Sequence, residues 1–288
     1  MIEELPSPER ASKWCAERRA RGLRLGYVPT MGALHAGHLS LVERAVRDND
    51  AACASIFVNP LQFNDRADLR DYPRDWQRDT AQLEQAGCAM VFTGTLEEFF
   101  PDADGAGAVD AGAALDPGPG ARGLEGEFRP GHLQGVCRIV ERLFATVGAC
   151  RAYFGEKDFQ QTLVVAHLAR RFDGIEVRVC PTVRESSGLA LSSRNRHLNA
   201  AHLDAAAKLY QALLAARAAW QAGMRDPASL EAVMCTRLQD ARIALDYAAV
   251  RDPGRWSEHT PPAPLQQGRA LVAATVGGVR LIDNLGLG

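Results

Sequence analysis

The sequence predicts an α/β protein, a parallel sheet with helices on both faces, followed by a smaller α+β domain. Three observations carry that expectation. Two apolar runs, Leu23 to Val28 and Ala51 to Val58, are joined through a segment in which Leu39, Val42, Ala45 and Val46 share one helical face, the pattern of a βαβ unit. The strand, turn and helix design returns at Arg151 to Gln161. Beyond Thr182 the alternation stops, and Ala-rich helical segments are followed by strands. The expected division is therefore residues 1–181 and 182–288.

The first strand runs into PTMGALHAGHL, Pro29 to Leu39. Gly32 and Gly37 let backbone approach a ligand, and the N–H groups of a helix start form a seat for phosphate. His35 and His38 stand one helical turn apart at that seat. Imidazole can donate hydrogen bonds to charge that develops during phosphoryl or nucleotidyl transfer. The second strand, apolar throughout as in a sheet buried on both faces, ends in NPLQF, Asn59 to Phe63. Ligands of open α/β sheets bind beyond the carboxyl ends of the strands, so Asn59 and Gln62 are expected to face the crevice of His35 and His38.

Next, DYPRDWQRD leads into a helix with Asp75 as N-cap and a stop near Gly87. Asp79, one turn inside it, reads as a solvated carboxylate more than as a neighbour of a phosphate-held cation. Ala89 to Thr93 reads as a short strand. The Ala-, Gly- and Pro-rich stretch from Asp102 to Gly120 reads as irregular and mobile, with one weak strand at 107–112. Leu133, Val136, Ile139, Val140, Leu143, Phe144 and Val147 then repeat at helical spacing up to Gly148, with Arg129 and His132 at the helix entrance.

After the strand Arg151 to Phe154, GEKDFQQ is expected to open a helix that sets Lys157 and Gln161 on one side, four residues apart. Lys157 there would neutralise phosphate as a point charge. Ile175 to Pro181 alternates as a strand, and PTVRESSGLALSSRNRHLN reads as a long polar loop suited to close over a nucleotide. Ala200 to Gly223 and Pro227 to Arg242 read as helices, and Ile243 to Val250 and Arg269 to Leu285 as strands.

Composition excludes several classes. The chain has 288 residues, a formal net charge of -2 and 47% hydrophobic residues, so neither nucleic acid nor a membrane surface is expected as a partner. No apolar run is long enough to span a bilayer, and the acidic N-terminal stretch lacks the pattern of a signal peptide. The 7 cysteines are scattered without a C-x-x-C pair, which suits reduced thiols in the cytoplasm. From the residues alone, nucleotidyl transfer, non-catalytic nucleotide binding and a zinc site on His35 and His38 all stay open, the last lacking a third ligand at suitable spacing.

PTMGALHAGH, SIFVNPLQF, the YPR turn, EGEFRPGHLQGV, YFGEKDFQQ, PTVRESSGLALSSRN and LVAATVGGVRLIDN, in this order, resemble the pantothenate synthetase family of pantoate–β-alanine ligases. The resemblance implies a Rossmann-like nucleotidyltransferase fold with HIGH- and KMSKS-type signatures. It implies an ATP-dependent ligase that condenses (R)-pantoate with β-alanine through a pantoyl-adenylate, in pantothenate and coenzyme A biosynthesis. Met31, Gly32, Ala33, Leu34, His35, Ala36, Gly37 and His38 would line the ATP site, with His38 at the position of the proton donor. Gly155, Glu156, Lys157, Asp158 and Val183 would hold the nucleotide, and Leu191, Ser192, Ser193 and Arg194 would cover the phosphates. Gln62 and Gln161 would contact pantoate, Gln62 also lying near β-alanine. Mg2+ would ride on the ATP phosphates, with no protein ligand implied, and the protein would be a cytoplasmic homodimer. The chain departs from the family pattern at Ser186 and Ser187, where an acidic residue is usual, and at Leu191, where Met is common.

Overall fold

The computed structural model of the protein describes residues 1–101 and 115–288, so the strand expected at 107–112 lies outside the described residues. The elements run β1 (Glu3–Leu5), α1 (Pro8–Ala20), β2 (Leu25–Thr30), α2 (Ala36–Asp48), β3 (Ala51–Ile56), α3 (Arg66–Asp71), α4 (Trp76–Gln85), β4 (Met90–Phe92), α5 (Leu96–Phe99), α6 (Glu125–Phe128), α7 (His132–Val147), β5 (Cys150–Gly155), α8 (Phe159–Ala169), β6 (Ile175–Cys180), α9 (Ala200–Gln221), α10 (Pro227–Arg237), β7 (Ile243–Arg251), β8 (Arg269–Val276) and β9 (Val279–Gly286). They gather into two compact units. One holds residues Met1–Ala121, Arg129–Gly155 and Gln160–Cys180, and the other Arg122–Phe128, Glu156–Phe159 and Pro181–Gly288.

The first unit is built on a 6-stranded parallel sheet in the order β1-β4-β3-β2-β5-β6. Successive side chains of each strand go to opposite faces, and each face has its own apolar cluster. Leu25, Tyr27, Cys53, Met90, Phe92, Ala152 and Phe154 pack with Trp14 of α1, the Leu133–Val147 face of α7 and Leu168 of α8. Val28, Ala52, Ala54, Val91 and Tyr153 pack on the other side with Leu41, Val42 and Ala45 of α2 and Leu83 of α4. This is why the strands read as unbroken apolar runs while the helices read as amphipathic. The YPR turn is a local brace, in which the Arg74 guanidinium donates to the carbonyls of Leu69, Arg70 and Tyr72 after α3.

In the second unit, β7, β8 and β9 form an antiparallel sheet. Val250, Val272, Ala274 and Leu281 of that sheet pack with Leu209, Leu213 and Trp220 of α9 and Leu230 and Met234 of α10. The segment Arg122–Phe128 is held here by buried Glu125, whose carboxylate accepts a fork of bonds from Arg280 at 2.7 and 2.8 Å and a third from the Tyr247 hydroxyl at 2.9 Å.

Several expected boundaries move. The strand expected to reach Val58 ends at Ile56, and the helix expected to reach Arg242 ends at Arg237. The run Arg269 to Leu285 is two strands, β8 and β9, folded at Gly277 and Gly278, a Gly-Gly hairpin signal inside an otherwise apolar stretch. GEKD does not open α8, which starts at Phe159, so Lys157 sits in the preceding turn and the expected shared helical side with Gln161 is absent. β1 and α1 occupy a stretch for which no element was expected. β1 has only 3 residues, too few for a periodic signal.

Candidate active site

In the first unit the chain leaves β2 at Thr30 and turns through Met31–Leu34 before α2. Gly32 and Ala33 both have positive φ, 78° and 52°. A Cβ on Gly32 would lie 2.8 Å from Asp79 Oδ2 and 3.1 Å from Ile56, so the turn closes only around glycine. What holds Ala33 in this strained conformation is Asp79, whose two carboxylate oxygens accept the N–H groups of Ala33 at 2.8 Å and Leu34 at 2.9 Å. The solvated carboxylate expected at Asp79 is thus a buried strut, 2% exposed. Burial pushes its carboxyl up from the ordinary range, and the N–H groups of Leu34 and Ala33 pull it back in part.

His35 is the N-cap of α2, and its Nδ1 accepts the Gly37 N–H at 3.1 Å. His38 completes a capping box, with Nδ1 accepting the His35 N–H at 3.4 Å. The two rings lie 4.1 Å apart between centroids. A ring nitrogen that accepts an N–H carries no proton itself, so both neutral imidazoles keep their hydrogen on Nε2 and are set as donors. The Gly37 N–H, expected as part of a phosphate seat, is spent on His35.

Gln62 ends a tight helical turn, Pro60–Gln62, capped by Asn59. Asn59 is buried; its Oδ1 accepts the Leu61 N–H, and its amide donates to Gly135 O at 3.1 Å and to Gln62 Oε1 at 3.2 Å. The residue expected to face the crevice is instead a buried brace of the Gln62 turn. Gly135 allows α7 to lie against this turn, since a Cβ there would come within 2.2 Å of Leu61 O. The Gln62 carbonyl takes a bond from His132 Nδ1 at 2.8 Å and one from Arg129 at 3.3 Å, and a second Arg129 N–H meets His132 Nε2 at 3.0 Å. A carbonyl only accepts, so His132 has its proton on Nδ1 and leaves Nε2 for Arg129. The Gln62 amide itself touches Met31 Sδ. Gln161, on the first turn of α8, is half-buried and has no hydrogen-bond partner among the described residues, whereas its neighbour Gln160 is buried on Gly120 O at 3.0 Å. Gly155 closes β5.

In the second unit, Glu156, Lys157 and Asp158 form a turn beside β9. The Asn284 amide donates to the carbonyls of Glu156 and Lys157, both at 2.9 Å, and Arg269 pairs with the Glu156 carboxylate at 2.8 Å. The Lys157 ammonium has no ion pair among the described residues. The long polar loop expected to close over a nucleotide is hydrogen-bonded within itself. Val183 O accepts the Leu191 N–H, Arg184 and Ala190 form a β-bridge, and Ser192 caps a short helix, Ser193–His197, that includes Arg194. Asn195 ties this helix back to Glu185 and Ala190 O, each at 3.1 Å. Arg184 forms a fork onto buried Asp283 at 2.6 and 3.0 Å.

Sequence reading missed the supports of these groups, namely Asp79, Gly135, Asp283 and Asn284. RLIDN and the Asp79 helix were both visible as motifs, but a strut bonded to distant backbone leaves no periodic or spacing signal.

A 6-stranded parallel sheet with a histidine-capped helix after its second strand, in a chain that also carries a smaller antiparallel unit, defines an α/β protein of the Rossmann-like class. Residues 4–286 match the model of one family in that class, pantoate-beta-alanine ligase, and the chain belongs to it. It is 44% identical over 271 residues to the pantothenate synthetase of Herpetosiphon aurantiacus, covering 93% of this chain and 95% of the relative. A crystal structure of pantothenate synthetase from Thermus thermophilus superposes with a TM-score of 0.84 at 41% identity, covering 99% of each chain. The pantoate-beta-alanine ligase of Francisella tularensis, solved with beta-gamma ATP and beta-alanine, matches with a TM-score of 0.76 at 30% identity, over 100% of this chain and 98% of that one.

Proposed function

We propose that the chain condenses (R)-pantoate with β-alanine in two steps driven by ATP, with the residues below in named roles. In the first, a pantoate carboxylate oxygen attacks the α-phosphorus of ATP, the bond to the β-phosphate bridging oxygen breaks, and pyrophosphate leaves. In the second, the β-alanine nitrogen attacks the acyl carbon of the adenylate, AMP leaves, and the nitrogen gives up a proton as the amide forms. No covalent enzyme intermediate is needed, so the protein acts by positioning and by stabilising charge.

The observation that carries this reading is the capped histidine pair. With Nδ1 of each ring bonded to backbone, Nε2–H of His38 is a donor that needs no reorganisation when negative charge grows on the phosphate oxygens. Met31 to His38, Gly155 to Asp158 and Val183 are assigned to ATP, with Lys157 neutralising phosphate, and Leu191 to Arg194 to the phosphates as the KMSKS-like segment. The smaller domain, 182–288, thus carries that segment and Val183, while 1–181 carries the other assigned residues, of which Glu156 to Asp158 belong to the second compact unit. Gln62 and Gln161 are assigned to pantoate, and Gln62 also to β-alanine. The unspent amide of Gln161 supports that role, because a carboxamide can both donate to and accept from a hydroxy acid.

Magnesium belongs with ATP as substrate. No group of 3 or more His, Cys, Asp or Glu side chains suited to an ion is present among the described residues, and Asp79 is taken up by backbone, which does not fit a resident metal. No helix among the described residues is long and apolar enough to cross a membrane. Mostly buried thiols suit a cytoplasmic location, and the family resemblance supports a homodimer.

The test is omission. Purified protein with ATP, magnesium, pantoate and β-alanine should turn over AMP and pyrophosphate continuously only when all are present, and should exchange labelled pyrophosphate into ATP when β-alanine alone is left out. AMP formation that ignores β-alanine would overturn the ligase assignment. Sedimentation equilibrium checks the dimer.

A further inference from the structure

Two neighbouring side chains of RLIDN on β9, Asp283 and Asn284, support both stretches of the second unit in which residues are assigned to nucleotide. Asn284 is 3% exposed, and every polar atom of its side chain is used. Its amide N–H groups go to the carbonyls of Glu156 and Lys157 at 2.9 Å each, and its Oδ1 accepts from Arg269. Arg269 in turn pairs with Glu156 and lies over the Phe159 ring, 4.2 Å from its centroid. Asp283 accepts the Arg184 fork, and Arg184 also donates to Gly188 O at 3.1 Å and sits over Tyr210 at 3.8 Å. The Asn284 N–H donates to Asp283 Oδ1 at 2.8 Å, so the two residues are themselves tied together.

The direction of these bonds matters. In a trans peptide the N–H points opposite to the C=O. Drawing the carbonyls of Glu156 and Lys157 toward Asn284 therefore turns the N–H groups of Lys157 and Asp158 away from it. The same two bonds fix the backbone from which the Lys157 side chain leaves the turn.

We propose that Asn284 is a positioning residue for nucleotide: it orients the Glu156–Asp158 turn and Lys157, while Asp283 beside it holds the Arg184 loop. This rests on the assignment of Lys157 to the ATP phosphates. Asn284 touches no substrate and acts through the backbone that carries Lys157.

Asn284→Asp keeps the shape and the acceptor for Arg269, removes the two donors and sets a carboxylate oxygen against the two carbonyls, and Asn284→Ala removes the group. Both are compared with Lys157→Ala and with the Lys157→Ala/Asn284→Asp double variant, in the full chain, by kcat and KM for each substrate and by thermal midpoint. Either Asn284 variant should lose roughly tenfold in kcat/KM for ATP, with KM for pantoate and β-alanine unchanged. On the Lys157→Ala background the Asn284→Asp loss should shrink to about twofold or less, since both act through one group. Unchanged ATP kinetics, equal losses for all substrates, a fully additive loss in the double variant, or an Asn284→Asp chain that fails to fold would each overturn the proposal. If Lys157→Ala alone leaves ATP kinetics intact, the Lys157 assignment fails, and that is seen with Asn284 still in place.

Discussion

The turn after β2 and the turn after β5 look alike in sequence, each a glycine at a strand end followed by charged or imidazole groups, but they are held in opposite senses. After β2 the strut is a carboxylate, Asp79, which draws backbone N–H groups inward. After β5 it is a carboxamide, Asn284, which draws backbone carbonyls inward. The first turn has therefore bonded the N–H groups of Ala33, Leu34, His35 and Gly37 within the protein, whereas the second has bonded its carbonyls and carries an ammonium. A strand-glycine-helix pattern predicts that a ligand comes close. The chemical sense of the strut decides which groups meet it.

The largest expected effects come from removing what each turn presents. His38→Ala and Lys157→Ala should each slow adenylate formation about a hundredfold or more, on the order of 3 kcal/mol of transition-state stabilisation. Pyrophosphate release measured beside the thermal midpoint checks this. Near-normal release from His38→Ala would remove the imidazole from the chemistry and break the contrast. Removing the carboxylate strut comes next. Asp79→Ala leaves the buried Leu34 N–H and the half-buried Ala33 N–H without acceptors and should cost about 2 kcal/mol of stability. Denaturant unfolding reads that loss, and a stability within about 0.5 kcal/mol of the parent would mean that water replaces the carboxylate.

Much of this architecture is legible in the chain, for identifiable reasons. β2 and β3 are apolar on both faces, and α7 repeats its apolar residues at helical spacing, so packing imposes a pattern along the sequence. Gln62 and Gln161 can be singled out because they follow strand ends. Asp79 and Asn59 escape such a reading because an Asp on a helix and an Asn before proline look the same whether solvated or bonded to backbone from another element, 46 residues away for Asp79 and Ala33. Lys157 reads as part of a helix because Glu-Lys-Asp also suits a helix start; what stops the helix is the Asn284 clamp on the carbonyls of Glu156 and Lys157.

The paired carboxamides come third in size. Gln62→Ala or Gln161→Ala should raise KM for pantoate about tenfold while leaving KM for ATP nearly unchanged, the outcome expected of groups that bind one substrate. Equal losses for both substrates would place the amides on the nucleotide side and erase the division of labour. Because Arg129 and His132 hold the Gln62 carbonyl, His132→Ala should reproduce the Gln62→Ala pattern in weaker form, without affecting what Gln161→Ala does.

The smallest effect tests the sign of the first strut. Burial pushes the Asp79 carboxyl above the ordinary 3.8, the N–H groups of Leu34 and Ala33 oppose it, and Asp75 and Arg78 act in opposite directions. A carboxyl raised in this way binds its proton more tightly in the folded chain than in the unfolded one. Its favourable contribution is therefore complete below the unfolded value and is lost as pH rises through the folded value. Asp79→Asn keeps an acceptor for one N–H and removes the titration. From about pH 4 up to neutral pH, the stability of the parent relative to Asp79→Asn should fall as pH rises and then level off. Urea unfolding at matched ionic strength across that range measures it. A difference that grows with pH would mean that the two N–H bonds outweigh burial and hold Asp79 ionised. The turn after β2 would then favour the ionised strut over the protonated one, and the contrast in charge with the carboxamide after β5 would itself stabilise the fold.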